Sequence, residues 1–393
     1  MNIGIDIRTI GRERTGDETY TLELTRRLFL CGEKNSYFLY TDTKNEQELK
    51  TISSLLNPIP SNAKIISVSP ASKFLWTFFS LPRQARRDKI DVLHVQYITP
   101  LIFSKNITLL ATIHDVSFER FPQYIGKKDL FFLKTLIPLS LKKASGIIAV
   151  SEFTKREIID CYSISPEKIV VINNGCDTEL FKKDISEKTI EDFKSRYNLK
   201  KPFLFYVGTL QPRKNIPFLI RGFAEFKKQH SNDEQVKDLH LIIGGALYGN
   251  NYDPEIGKEM EKINEPKIKK DIRFVGYIKQ SDLPKFYHCA QAYLSASLYE
   301  GFSLSLIEAM ASKTPVICSD SSCHSEIAGN AAEIFENNNK ESFHRALLSV
   351  LNDKAKREAL IKKGIARSQQ FSWKKNALQT LEFYDIMAKA KAR

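Results

Sequence analysis

Short apolar runs alternate with amphipathic helical stretches along nearly the whole of this 393-residue chain, and no other feature restricts its folding so strongly. Runs such as "NIGIDI", "SYFLYT", "KIISV", "DVLHVQ", "ITLLATI" and "GIIAV" have the length of strands, and stretches with helical patterning, such as Thr19–Leu30 and Asp129–Lys143, stand between most of them. This rhythm implies parallel sheets covered by helices on both faces. It breaks at "NNGCDTELFKKDISEKT", which reads as a linker leading into a short helix. It restarts with "PFLFYVG", "LHLIIGG", "IRFVGY", "AYLSAS", "PVICSD" and "AAEIFE". The expected architecture is α/β: two doubly wound Rossmann-like domains, residues 1–190 and 191–370, facing each other across a cleft, then a terminal helix over 371–393. The length agrees, since one core seldom serves so long a chain.

Composition narrows the function classes. With 42% hydrophobic and 27% charged residues there is no room for a large disordered region. No run of some twenty apolar residues is present, and "MNIGIDIRTI" is too short and too charged for a secretory leader. The six cysteines are scattered without a C-x-x-C pair, so reduced thiols in a cytoplasmic protein are expected. A net charge of +13 attracts nucleic acid, anionic lipid or phosphorylated small molecules. No nucleic-acid-reading motif is present, so no nucleic-acid partner is expected. The segment Ala71–Lys89, "ASKFLWTFFSLPRQARRDK", joins aromatics to Arg83, Arg86, Arg87 and Lys89. It reads either as an amphipathic basic helix lying on an anionic membrane or as core packing by Leu75, Trp76 and Phe79 beside solvated arginines.

Ligands of open α/β sheets bind beyond the carboxyl ends of the strands, so chemistry is sought in the loops there. In "YVGTLQPRKN" a strand ends at Gly208, Thr209 follows, and Arg213 and Lys214 arrive at a helix start, where cations and backbone N–H groups suit a diphosphate. Gly244, in "LIIGGALYG", either allows close backbone approach to a ligand or serves a tight turn. Gly276 and Tyr277, in "RFVGYIKQSDL", can set backbone and a ring against a nucleobase. "SASLYEGFSLSLIEAMASKTPVICSD" places Glu300 in a turn and Glu308 eight positions on, inside the helix expected from Ser303 to Ala311. The N–H groups of Gly301, Phe302, Ser303 and Leu304 lie between the two carboxylates. A sugar nucleotide uses all of these parts: Glu300 takes hydroxyls of the sugar, the donors take the diphosphate, and Glu308 takes the ribose hydroxyls. Glu308 has apolar neighbours, so a polar partner is expected for it.

"YEGFSLSLIEAMASKTPVICSD" resembles the paired-glutamate signature of family-four-type retaining glycosyltransferases of GT-B fold, E-G-F-G-L-P-x-x-E-A-M-A-x-G-x-P-V, with Ser303, Ser305 and Lys313 as departures. "VGTLQPRKN" is similar to that family's phosphate-binding loop, with Thr209 where many members have arginine. "FVGYIKQSDLPKFYHCA", "VINNGCDTELF" and "FSWKKNALQTLEFY" are similar to its base-contacting segment, hinge stretch and terminal helix crossing back to the first domain. "TIHDVSFERFP" resembles a branch rich in bacterial mannosyltransferases, and this implies that His114 donates a hydrogen bond to the transferred sugar; Asp115 orients His114 or caps the next turn. The first loop, "DIRTIGRERTGDETY", keeps Gly11 and Gly16 but carries Asp17 and Glu18 where relatives have an I-G pair. It is expected on the acceptor side instead of around the diphosphate.

The resemblance implies a retaining sugar transfer from a nucleotide-diphosphate donor, GDP-mannose first, to a glycan or lipid-linked acceptor in cell-surface polysaccharide synthesis. His114, Glu300, Lys214 and Arg213 would carry the chemistry. No cofactor is expected beyond the nucleotide-sugar co-substrate, and no metal, since no D-x-D stands at a strand end. The expected location is cytoplasmic, with peripheral contact at the inner face of the plasma membrane. The rivals are a UDP-sugar donor and a sugar-nucleotide epimerase of the same shape. A dinucleotide-dependent dehydrogenase is excluded, because "GIDIRTIGRERTG" lacks G-x-G-x-x-G.

Overall fold

The computed structural model describes residues 1–12, 15–69, 73–246 and 252–392. The chain forms two compact units, Met1–Gly175 with Ser372–Arg393, and Cys176–Phe371.

The first unit is built on seven strands: β1 (Asn2–Asp6), β2 (Ser36–Thr41), β3 (Ala63–Ser67), β4 (Val92–Gln96), β5 (Thr108–Ile113), β6 (Gly146–Ala149) and β7 (Ile169–Val171). They pair in parallel in the order β3-β2-β1-β4-β5-β6-β7. The chain starts in the middle, walks outward to β3 and returns beside β1 as β4. The loops after β1 and β4 therefore leave in opposite directions, which makes a topological switch point. Buried faces on both sides explain the continuous apolar runs: every residue of β5 is buried. Helices Thr15–Cys31 and Trp373–Ala392 pack on each other.

The second unit repeats the plan with β8 (Phe203–Val207), β9 (His240–Gly244), β10 (Ile272–Gly276), β11 (Ala292–Ser295), β12 (Val316–Ser319) and β13 (Glu333–Phe335), in the order β10-β9-β8-β11-β12-β13. Alternate side chains of β8 feed two cores. Leu204 and Tyr206 join an aliphatic cluster with Phe218, Leu241, Ile243 and Leu294. Phe205 stacks on Phe286 at 5.0 Å, within a group that includes Phe193 and Tyr287. The switch point lies between β8 and β11, so the loops after these two strands flank it.

Two expectations are corrected. The first unit ends at Gly175, not near residue 190: the helix Thr178–Lys182 buries Phe181 against Tyr287 and so belongs to the second core. The segment Ala71–Lys89 is not one helix. From Lys73 it runs as a short α-turn, a π-turn over Trp76–Ser80 and the helix Leu81–Arg87; residues 71 and 72 lie outside the described residues. Trp76 is fully buried, whereas Phe74, Leu75 and Phe79 are exposed, so the apolar residues divide between core and surface. Among the described residues no helix is long and apolar enough to cross a membrane.

Candidate functional site

In the second unit the two loops beside the switch point bring their charges together. After β8 the chain passes Gly208, whose N–H donates to the Gly244 carbonyl at 3.2 Å. Gly245 is held at φ +151°, and a Cβ there would stand 2.3 Å from the Gly208 carbonyl oxygen, so only glycine fits. Thr209 accepts the Tyr206 hydroxyl on its carbonyl. Arg213 and Lys214 sit on a one-turn 3-10 helix, Pro212–Lys214, and Asn215 in the left-handed region separates it from the helix Ile216–Gln229. The sequence reading put both cations on that helix's own N-terminus; the left-handed Asn215 moves them one turn ahead of it.

The loop after β11 supplies Glu300. Its carboxylate is buried. Lys214 Nζ lies 2.8 Å from Oε2, and the Ser297 hydroxyl donates to Oε1 at 2.6 Å. His324 Nε2 lies 3.6 Å from Oε1 and is fully buried. Burial opposes ionisation of Glu300, but Lys214 and then His324 overcome it and hold the carboxyl well below the usual carboxylate range. Burial likewise lowers the Lys214 pKa, which the Glu300 charge counters and Arg213 reinforces. Arg213 donates to the Tyr299 carbonyl at 3.0 Å and to Gln211 at 3.2 Å, which fixes its guanidinium beside the same loop.

Ser303 precedes the helix Leu304–Ala311, and its hydroxyl makes no capping hydrogen bond. The N–H of Glu300 itself donates to the Ser322 hydroxyl at 3.0 Å. Gly301 is buried, and Phe302 meets Phe371 edge-on at 5.7 Å. Glu308 is half-buried and has the polar partner its neighbours required, since the Tyr287 hydroxyl donates to Oε2 at 3.0 Å. Burial pushes its pKa up to about 7, against the pull of that hydroxyl. Gly276 ends β10 at φ +71°, and Tyr277 after it is exposed.

The other predicted residues stand in the first unit. His114 follows β5, and its Nε2 lies 2.9 Å from Gln96 Oε1 at the end of β4. The register that pairs Gln96 with Thr112 sets the two side chains within reach. Tyr20 packs edge-on to the imidazole at 4.7 Å. Burial lowers the His114 pKa, while Asp17 and Asp115 pull the other way. Asp115 accepts the Ser117 N–H at 3.0 Å and so caps the next turn. In the first loop the Gly11 N–H donates to Glu18 Oε1 at 2.6 Å, so the acidic substitution occupies a donor of its own loop. Gly16 has open space about it; residues 13 and 14 lie outside the described residues.

Sequence reading missed Gln96, Tyr287, Ser297 and His324. Tyr287 and Ser297 lie within motif segments quoted above; in the first unit Gln96, and in the second unit His324, reach their partners by folding alone. Among the described residues no three His, Cys, Asp or Glu side chains are grouped to hold a metal ion.

Residues 187–367 match the family model "Glycosyl transferases group 1", and residues 15–180 match "Glycosyltransferase Family 4". The chain is 27% identical over 382 residues to the O-antigen chain mannosyltransferase B of Escherichia coli, covering 95% of this chain and 96% of that one. Sucrose-phosphate synthase from Thermosynechococcus elongatus has a similar structure, with TM-score 0.76, 19% identity and coverage of 99% and 100%. So has Anabaena HepE in complex with UDP-glucose, with TM-score 0.73, 16% identity and coverage of 98% and 99%.

Proposed function

The chain belongs to the glycosyltransferases of GT-B fold that join a Family 4 first half to a group 1 second half, and from that premise we propose that it moves mannose from GDP-mannose, with retention, to a hydroxyl of a glycan or lipid-linked acceptor in surface polysaccharide synthesis. The mannosyl choice is supported by the likeness to the O-antigen mannosyltransferase over nearly its whole length. The observation that carries the site is the Lys214–Glu300 ion pair, which joins the two loops at the switch point with Arg213 alongside.

In the proposed reaction the bond between the sugar C1 and the diphosphate oxygen breaks, and a bond from C1 to the acceptor oxygen forms on the same face. The acceptor's proton passes to the departing diphosphate. Charge builds on that leaving group, where Lys214 and Arg213 stabilise it. A buried carboxylate has about four acceptor positions, so Glu300 can keep Ser297 and Lys214 and still receive sugar hydroxyls. Glu308 receives the ribose diol on the oxygen not held by Tyr287. Turnover is expected to survive a chelator, because protein cations meet the leaving-group charge. The exposed Phe74 and Phe79, with the arginines that follow, support peripheral contact with an anionic membrane.

A thermal-shift screen against GDP-, UDP-, dTDP- and ADP-sugars tests the donor. A saturating specific donor at about 100 Kd stabilises by about 2.7 kcal/mol and raises the Tm. Stabilisation by a UDP-sugar but not GDP-mannose would replace the donor assignment; no shift with any nucleotide sugar would sink the reading.

A further inference from the structure

We propose that Gln96 is a positioning residue that fixes the tautomer of His114, so that His114 meets its ligand through a bare Nδ1 and accepts a hydrogen bond from a hydroxyl. The ligand side of this rests on the reading that His114 faces the transferred sugar; the tautomer does not.

The assignment follows from counting protons along one chain of side chains. The Thr21 hydroxyl donates to the Asp17 carbonyl at 2.8 Å, and a carbonyl can only accept. Its single hydrogen is therefore committed. Towards its other neighbours Thr21 Oγ1 can only accept, from the Thr9 hydroxyl at 2.8 Å and from the Gln96 side chain. Gln96 must then turn its NH₂ to Thr21, which leaves its carbonyl oxygen on His114 Nε2 at 2.9 Å. An amide oxygen is an acceptor only, so Nε2 carries a proton. Flipping the amide would set Gln96 oxygen against a Thr21 oxygen whose hydrogen points elsewhere, and a nitrogen donor against the imidazole; the first contact loses its hydrogen bond unless Thr21 abandons Asp17.

The imidazole is surrounded by Tyr20, edge-on at 4.7 Å, and Tyr97 at 5.5 Å. The charged or titratable groups that bear on it are Asp17 on the helix Thr15–Cys31, Asp115 in its own loop and His94 on β4. With Nε2 protonated, the neutral ring has its lone pair on Nδ1, to which no described residue donates. A lone pair accepts from a hydroxyl and repels a carboxylate or phosphate oxygen. The site therefore takes a sugar that presents a hydroxyl at this point. This is the reverse of the donor role that family resemblance implies for His114.

Nitrogen-15 NMR of histidine-labelled full-length protein, with His114 assigned by comparison with His114→Asn, reads the tautomer without any ligand. The expected result at neutral pH is a protonated Nε2 and a bare Nδ1, with that uniform tautomer lost in Gln96→Leu. A protonated Nδ1 in the wild-type ring overturns the proposal, and this holds even if Gln96→Leu does not fold. With GDP-mannose added, the Nδ1 resonance should move; binding by thermal shift with no such movement overturns the hydroxyl role while leaving the donor reading intact. In turnover, Gln96→Leu should lower kcat/KM by about tenfold. Gln96→Glu should raise the His114 pKa and shift the acid limb of the pH profile to higher pH. A Gln96→Leu enzyme with unchanged tautomer and kinetics removes Gln96 from the role.

Discussion

Glu308 carries two opposite pH dependences in one window. Its folded pKa of about 7 lies above the ordinary 4.5, because burial costs more than the Tyr287 hydrogen bond returns. The carboxyl's contribution to stability is thus full below about pH 4.5 and is lost as pH rises through about 7. Donor binding should run the other way, since only the ionised group accepts both ribose hydroxyls. Denaturant titrations from pH 5 to 8 should show stability falling, and calorimetry should show donor affinity rising, with both trends flattened in Glu308→Gln. A Glu308→Gln enzyme that keeps both slopes would place the titration elsewhere. For Lys214→Ala the expected loss in kcat is about 10²–10³. Its partner Glu300 then sits buried with only Ser297 and His324 beside it, so a drop in Tm should accompany the loss; full activity in this variant would remove Lys214 from the chemistry. At this scale the sequence offers candidate residues but not which of them touch. Glu300 and Lys214 read as separate binding groups, and folding makes them one ion pair.

The elements were legible where periodicity is regular and illegible where it breaks. Twelve of the thirteen strands among the described residues coincide with apolar runs in the sequence; β7, the three residues Ile169–Val171, is too short to stand out beside an Asn- and Gly-rich stretch. The segment from Lys73 to Arg87 shows why a helical wheel fails there. A π-turn adds a residue to the turn and rotates all that follows, so Trp76, Thr77 and Phe78 go inward while Phe79 goes out. The exposed Phe74 and Phe79 then form the apolar part of the proposed membrane contact, with Arg83, Arg86 and Arg87 close behind in sequence. Phe74→Ser with Phe79→Ser should reduce binding to phosphatidylglycerol vesicles by tenfold or more, on the order of 1.5–3 kcal/mol per aromatic withdrawn from lipid. Donor binding should not change. Equal vesicle binding by the double variant would assign both side chains to the protein surface alone.

For the whole molecule the chain order matters. The first unit contains both ends of the sequence, so its core is complete only when Ser372–Arg393 arrives. The terminal helix enters that core at several places. The Tyr384 hydroxyl meets His94 Nδ1 at 2.6 Å, and Phe383 covers Gly146 so closely that a Cβ there would lie 2.6 Å from its ring. Trp373 packs on Tyr20 and against Gly175. Tyr384→Phe should leave the buried His94 nitrogen without its partner and cost about 1–3 kcal/mol. Hydrogen exchange should show faster opening in the first unit and unchanged protection in β8–β13; equal loosening of both units would mean that they unfold as one. Deleting residues 372–393 should abolish protection of the first sheet.

The sequence by itself determined the fold class, the two parallel sheets and the spacing of Glu300 and Glu308, because strand–helix alternation and motif spacing are properties of neighbours along the chain. Only the tertiary structure decided that Tyr287 holds Glu308, that Ser297 and His324 hold Glu300 with Lys214, and that Gln96 holds His114. Apart from the Ser297–Glu300 bond within one loop, these are contacts between separate elements: two helices for Tyr287 and Glu308, two loops and a helix around Glu300, and neighbouring strand ends for Gln96 and His114. The distances between elements are set by strand register for Gln96 and His114 and by helix and loop packing for the rest, and neither is written in local pattern.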